Sequence, residues 1–160
     1  MTEKSTGEGR GSSGRRAPDP SRSSNQRDPL GQAVLVDREA RLALLRRRFE
    51  FAATSQDITH EIYHDDAVLE FPQSGDRFDG VENFREWRRM YPVELTFEMR
   101  RVRGEGDLRI VENSIRYGDG GWQPTVNILE FRGDKVAHET IYITESWEPP
   151  EWRARWRSAP

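Results

Sequence analysis

The stretch Thr125-Val-Asn-Ile-Leu-Glu-Phe131, then Gly133-Asp134, then Val136-Ala-His-Glu-Thr-Ile-Tyr-Ile143 decides how this chain reads. Branched and aromatic residues alternate with polar ones on both arms, the pattern of strands with one buried face. A Gly-Asp pair between two such arms predicts a hairpin. Its register is open. With a tight two-residue loop, Arg132 pairs with Lys135 and Asn127 faces Thr140. With a three-residue loop and a bulge, Phe131 pairs with Lys135 and Asn127 faces Glu139. A slip of one residue exchanges the faces, so the choice decides what lies inside. The bulged register gathers Leu129, Phe131, Ala137, Ile141 and Ile143 on one side and is preferred. It turns Val126, Ile128, Val136 and Tyr142 outward.

Working outward, Leu95, Phe97 and Met99 alternate with polar residues. Turns at Gly104-Glu-Gly-Asp107 and Gly118-Asp-Gly-Gly121 then lead into Leu108–Tyr117 and the hairpin, giving a four-strand meander. Ahead of it, Ala67–Phe71 reads as a strand closed by Pro72 and the polar turn Gln73–Asp76. A helix after Gly80 carries Phe84, Trp87 and Tyr91 on one side and Arg85, Arg88 and Arg89 on a solvated one, ending at Pro92. A first helix runs from Asp37 as N-cap, with Leu42, Leu45, Phe49 and Ala52 at helical spacing. A short second one carries Asp57, Ile58 and Ile62 and stops at Asp65-Asp66. The order of helix, helix, strand, helix and four antiparallel strands is an α+β layout.

Composition sets the limits. The chain has 160 residues, enough for one domain with a sizeable core, and only 34% are hydrophobic. The deficit is concentrated in residues 1–30, which hold Ser, Gly, Pro and Arg and read as a disordered tail. Residues 31–148 read as the folded domain, and 149–160 as a C-terminal tail or short helix whose Trp152 and Trp156 could dock or cover a neighbour. There is no cysteine, so disulfide and thiolate chemistry are excluded. A net charge of −3 gives no general attraction to nucleic acid. With no signal peptide and no membrane-length apolar run, the expectation is a soluble cytoplasmic protein without nucleic-acid or membrane partners.

Three segments carry a resemblance. Tyr63-His-Asp-Asp-Ala-Val-Leu-Glu-Phe-Pro72, Gly80-Val-Glu-Asn-Phe84 and Ile128-Leu-Glu-Phe-Arg-Gly-Asp-Lys-Val136 resemble the SnoaL-like branch of the nuclear transport factor 2-like superfamily. The resemblance covers about Val34 to Trp147. It implies a cone-shaped, curved, mostly antiparallel sheet packed with N-terminal helices, a pocket for a small hydrophobic or polyketide-like molecule, and a homodimer through the convex face. It implies no cofactor. Relatives include ketosteroid isomerases, epoxide hydrolases and polyketide cyclases, and some without catalysis, so fold alone decides little. The isomerases place their proton-abstracting Asp where this chain has Phe71, and an acid where it has Asn127. The epoxide hydrolases need an Arg-x-Asp where this chain reads Glu112-Asn-Ser-Ile-Arg116, and a second Asp where it has Ile141. Neither set is present.

His60-Glu61-Ile62-Tyr63-His64 matches the His-Glu-x-x-His zinc signature. Ile58 and Ile62 define the buried face, however, which puts His60 and His64 outside on a short helix, and no metal is expected. The candidate polar centre is instead Glu139 with Asn127. Inside the cone a desolvated carboxyl could move a proton while Asn127 holds a substrate oxygen. The bland alternative is a buried Glu satisfied by Asn127 or an arginine. Tyr63, Phe71, Trp87, Tyr91, Leu129, Phe131 and Ile141 are candidates to line the pocket, though such residues are more often plain core. Acid–base catalysis of cyclase, isomerase or dehydratase type is one functional expectation. A non-catalytic ligand-binding or dimerisation module is the other.

Overall fold

The computed structural model describes residues 29–158. The expected disordered tail lies outside them except for its last two positions, which already belong to a helix. Helix α1 spans Pro29–Phe51 and α2 Gln56–His60; strands β1 (Tyr63–Phe71) and β2 (Asp76–Asp79) follow, then α3 (Val81–Arg89). The meander is β3 (Leu95–Arg103), β4 (Leu108–Tyr117), β5 (Gln123–Arg132) and β6 (Lys135–Ile143). The six strands form one open mixed sheet in the order β2-β1-β6-β5-β4-β3. Every pairing is antiparallel except β1 with β6. The three helices pack on one side of it, and the chain is an α+β cone.

Four local expectations are corrected. Asp37 does not cap α1; it lies within the helix, with its carboxylate 3.2 Å from Arg41 Nε. Helix α2 ends at His60, and Asp65 and Asp66 belong to β1 rather than terminating a helix. The polar turn after Pro72 leads into β2, a short strand too polar to show in the pattern; it pairs with β1 from Phe71↔Asp76 to Val68↔Asp79. The solvated face expected of α3 holds for Arg85 and Arg89, but the Arg88 head folds inward over Phe84, Trp87 and Phe97.

The hairpin combines both expected geometries. The Gly133-Asp134 turn is tight, with Arg132↔Lys135 and Phe131↔Val136, and Gly133 takes the left-handed φ of 68° that such a turn favours. One step further a bulge at Ala137 shifts the pairing to Glu130↔His138, Leu129↔Glu139 and Asn127↔Ile141. Asn127 therefore faces neither Thr140 nor Glu139 directly. The bulge nonetheless keeps Asn127, Leu129, Phe131, Glu139 and Ile141 on the buried face. Val136, expected outside, is also fully buried, because it precedes the bulge; Ala137 becomes the unpaired residue.

The core is one cluster joining α1, the inner sheet face and α3, with Leu45, Tyr63, Leu69, Phe84 and Leu129 at its centre. Two arginines share the inner stripe of α1 with Leu45, Phe49 and Ala52: Arg41 and Arg48 are both buried. Arg41 binds two turns at once. It donates to the Gly106 carbonyl and Asp107 in the β3–β4 turn and to the Gly133 carbonyl (2.9 Å) in the β5–β6 turn. The β3–β4 turn admits no side chain at Gly104, where a Cβ would lie 2.5 Å from the Leu108 carbonyl oxygen. After β6 the chain ends in a short 3-10 turn, Glu151–Trp156, with both tryptophans exposed. No helix among the described residues is long and apolar enough to cross a membrane.

Candidate functional site

The polar centre lies where α1 meets β6. Position 139 is flanked by Leu69 on β1 and Leu129 on β5, so its side chain enters the cone between two leucines and is fully buried. Arg48 reaches it from α1, its Nη2 lying 2.8 and 2.9 Å from the two carboxylate oxygens. The Tyr63 hydroxyl donates to Oε2 and the Asn127 amide to Oε1 (2.6 Å). Asn113, one strand further, donates to the Asn127 carbonyl oxygen (2.6 Å). Asn127 reaches Glu139 as a diagonal neighbour, across a strand pair whose direct partners are Leu129 and Ile141.

Electrostatics fixes the states of Arg48 and Tyr63. Burial alone pulls the Arg48 pKa down, but Glu139 and Tyr63 outweigh it and hold it above the ordinary value, so the guanidinium is charged. Burial pushes the Tyr63 phenol well up; Arg48 opposes and Glu139 reinforces this, so the hydroxyl stays a donor. The Glu139 carboxylate thus receives three donors, one of them a cation. Breaking such a pair exposes an uncompensated buried charge, a cost of about 3–5 kcal/mol.

His60 is a further correction. It is buried, not on a surface helix, packed against Tyr63 and Phe84 with ring centroids 5.8 and 4.9 Å away. Its Nδ1 bonds the Gln56 carbonyl and so carries the proton, while Nε2 is buried without a partner among the described residues. Burial first, then the charges of Arg48, Arg85 and Arg88, lower its pKa to about 4. His64 starts a strand and bonds the Arg132 carbonyl (2.7 Å), so the two histidines do not share a helix. Among the described residues no three His, Asp or Glu side chains gather as metal ligands.

The candidate lining residues divide. Tyr63, Phe71, Leu129, Phe131 and Ile141 are packed core, and Trp87 rests against that core. Tyr91 alone of the seven lines a described cavity. That cavity, of about 370 Å³, lies between the α1–α2 corner and the α3–β3 loop, walled by Ala52, Gln56, Arg88, Tyr91, Val93 and Leu95 among others. Beneath it a void of about 10 Å³ is bounded by Arg48, Phe49, Thr59, Phe84 and Phe97, and shares Ala52, Gln56 and Arg88 with the mouth. The sequence reading missed Arg48, Arg88 and His60. Spacing held a signal for the arginines: Arg48 follows Leu45 by three, and Arg88 follows Val81 and Phe84 by seven and four, along the buried stripes.

The fold and this geometry meet the comparisons with known proteins. A family model, the SnoaL-like domain, matches residues 45–139. An NTF-2 like protein of unknown function from Burkholderia xenovorans LB400 is 39% identical, with 78% of this chain and 98% of that chain covered and a TM-score of 0.73. The chain belongs to the SnoaL-like family, of NTF2-like fold. More distant structures share the fold alone. A proposed ketosteroid isomerase from Kribbella flavida DSM 17836 is 23% identical over 76% of this chain and 90% of that one, with a TM-score of 0.67. An LEH-like epoxide hydrolase from M. tuberculosis is 15% identical over 66% and 84%, with a TM-score of 0.58. No curated protein matches the chain.

Two measurements test this account of the polar centre. Glu139→Gln should cost about 3–5 kcal/mol in urea unfolding, and Arg48→Met in the same chain should recover at least half of that, because it removes the stranded charge. A single variant within 1 kcal/mol of wild type would refute the pair as a structural tie. For His60 the folded pKa of about 4 lies below the unfolded value of 6.5, so the neutral ring contributes stability above pH 6.5 that is lost as pH falls through 4. Comparing wild type with His60→Leu by urea unfolding at pH 7 and pH 4 should shift the difference by about 3 kcal/mol in favour of the variant at pH 4. A pH-independent difference would show that His60 is not held neutral.

Proposed function

We propose that this protein binds a small, largely apolar molecule at the mouth of the cone, its polar end directed inward at Arg88 and Arg48. The observation that carries this reading is the cavity of about 370 Å³, which shares three wall residues with the void at Arg48. Its size falls within the ordinary range of ligand sites, and its wall combines apolar Ala52, Pro92, Val93 and Leu95 with polar Gln56, Arg88, Arg89 and Glu94. In this reading Glu139, Asn127 and Tyr63 hold Arg48 in position. An acid–base role of cyclase, isomerase or dehydratase type asks more. Glu139 would have to release one of its three donors before accepting a substrate proton, so binding is the better-supported function. A thermal-shift series with small phenols and ketones should raise the melting temperature by several degrees at saturation. Val93→Trp, placed at the exposed rim, should abolish that rise with the apo melting point unchanged; a rise that survives the variant places the ligand elsewhere. Should a substrate be turned over, Glu139→Gln that stays folded at the assay temperature should abolish turnover while ligand still binds; turnover that survives it leaves Glu139 only a binding role.

We further propose a homodimer through the convex face. Val126 and Ile128 are half-buried and Tyr142 is 42% exposed on the outward side of the hairpin, a contiguous apolar strip that a second copy would cover. Sedimentation at micromolar concentration should give a dimer, and Ile128→Asp should shift it to monomer; a wild-type monomer rejects the proposal.

A further inference from the structure

The charges around the inner void do not balance. Arg48 and Arg88 both border it, and Glu139 is the one carboxylate paired with either. The neighbours of Arg88 on α3 are neutralised, Arg85 by Glu82 (2.6 Å) and Arg89 by Asp57 (2.6 Å). Among the described residues no carboxylate lies at ion-pair distance from Arg88. Its guanidinium rests instead over Trp87, Phe84 and Phe97, 5.0, 5.6 and 5.8 Å from the ring centroids. Aromatic faces hold a cation without cancelling it. On Arg48, Glu139 occupies Nη2, while Nε and Nη1 are buried with no partner. An arginine cannot discard its proton, so the charge of Arg88, half-buried at the mouth, stays without a carboxylate partner.

We propose that the mouth cavity takes a monocarboxylate, its carboxyl held by Arg88 and drawn inward by the charge of Arg48 beyond it, and its apolar body lying against the loop that follows α3. The proposal rests on the reading of the mouth as a ligand site and names the chemical class that site prefers. A planar carboxylate matches the fork of an arginine, and a single negative charge matches the single excess positive one. A phosphate dianion would overshoot it. At the rim Arg89 is already paired with Asp57, and Glu94 is exposed to solvent and makes no ion pair with Arg88, so its charge is screened from the inner excess. Two titrations agree with the charge count. Burial and then the neighbouring Arg48 lower the pKa of Arg88. His60 is held neutral by burial and by a field in which Arg48, Arg85 and Arg88 all act in the same direction.

Calorimetric titration of the full chain at pH 7 with 4-phenylbutyrate, and with the neutral 4-phenylbutanamide of the same shape, tests this. The acid should bind at least ten times more tightly than the amide. Arg88→Met, which keeps a long side chain over the aromatic rings, should remove that preference, weakening the acid at least tenfold and the amide by much less. It should also melt no lower than wild type, since it takes away an uncompensated charge. Equal affinity of acid and amide for wild type would overturn the charge inference while leaving the mouth as a binding site. Failure of both to bind would overturn the inference and the ligand-site reading together. An Arg88→Met that melts far below wild type would show the arginine spent on packing, and Arg88→Gln melting equally low would overturn the proposal.

Discussion

The buried pair between Arg48 and Glu139 is the constraint on which the site depends. It joins the inner stripe of α1 to the middle of β6, the strand that β1 and β5 both pair with. Burying Leu45 and Phe49 contributes about 2–3 kcal/mol each. Desolvating an arginine costs several kcal/mol, enough to offset that gain. The helix can present Arg48 inward only because Glu139 waits opposite, and Glu139 can be buried only because Arg48, Tyr63 and Asn127 converge on it. Remove one member and the others become liabilities. Such a centre fixes how α1 lies on the sheet more sharply than apolar contacts would, because hydrogen bonds are lost over tenths of an ångström while apolar packing tolerates shifts.

The strands were legible because their signal is periodic and local. Leu108–Tyr117 emerges with its bounds unchanged, and the meander needs only alternation and glycine turns to be read. The hairpin register was harder. Counting from the turn assumes an unbroken ladder, and the bulge at Ala137 breaks it one residue beyond a tight loop. The inward set of β5 came through because the preferred register has the same parity as the observed one. Val136 did not, because it lies on the turn side of the bulge, where the tight-loop parity holds.

The arginines were illegible for a different reason. Reading an amphipathic helix sorts residues by polarity, and this sorting places Arg48 and Arg88 outside by definition. Their inward position is a tertiary fact, decided by Glu139 from a strand 91 positions away and by aromatic faces from two elements. His60 fails similarly: its side of α2 was inferred from Ile58 and Ile62, but the helix ends before Ile62, so the two are not on one helical face. Position within the spacing of buried neighbours was the better guide than side-chain type.

The filling of the cone shifts where chemistry can occur on this scaffold. Phe71, where an isomerase-type base would stand, is sealed in the core against Phe78 and Trp87. Tyr63, Leu129, Phe131 and Ile141 occupy the interior that a deep pocket would need, and the inner void has room for about one water molecule. Among the described residues a larger cavity lies outward instead, at the junction of α1, α2 and α3 with the loop Tyr91–Leu95. The residues at such a mouth come from helices and a loop rather than from the strands beneath them. A sheet-based alignment compares positions such as 71, 127 and 141 and passes over 48 and 88. On this chain those two helical arginines, and not the strand positions, set the charge at the wall of the inner void.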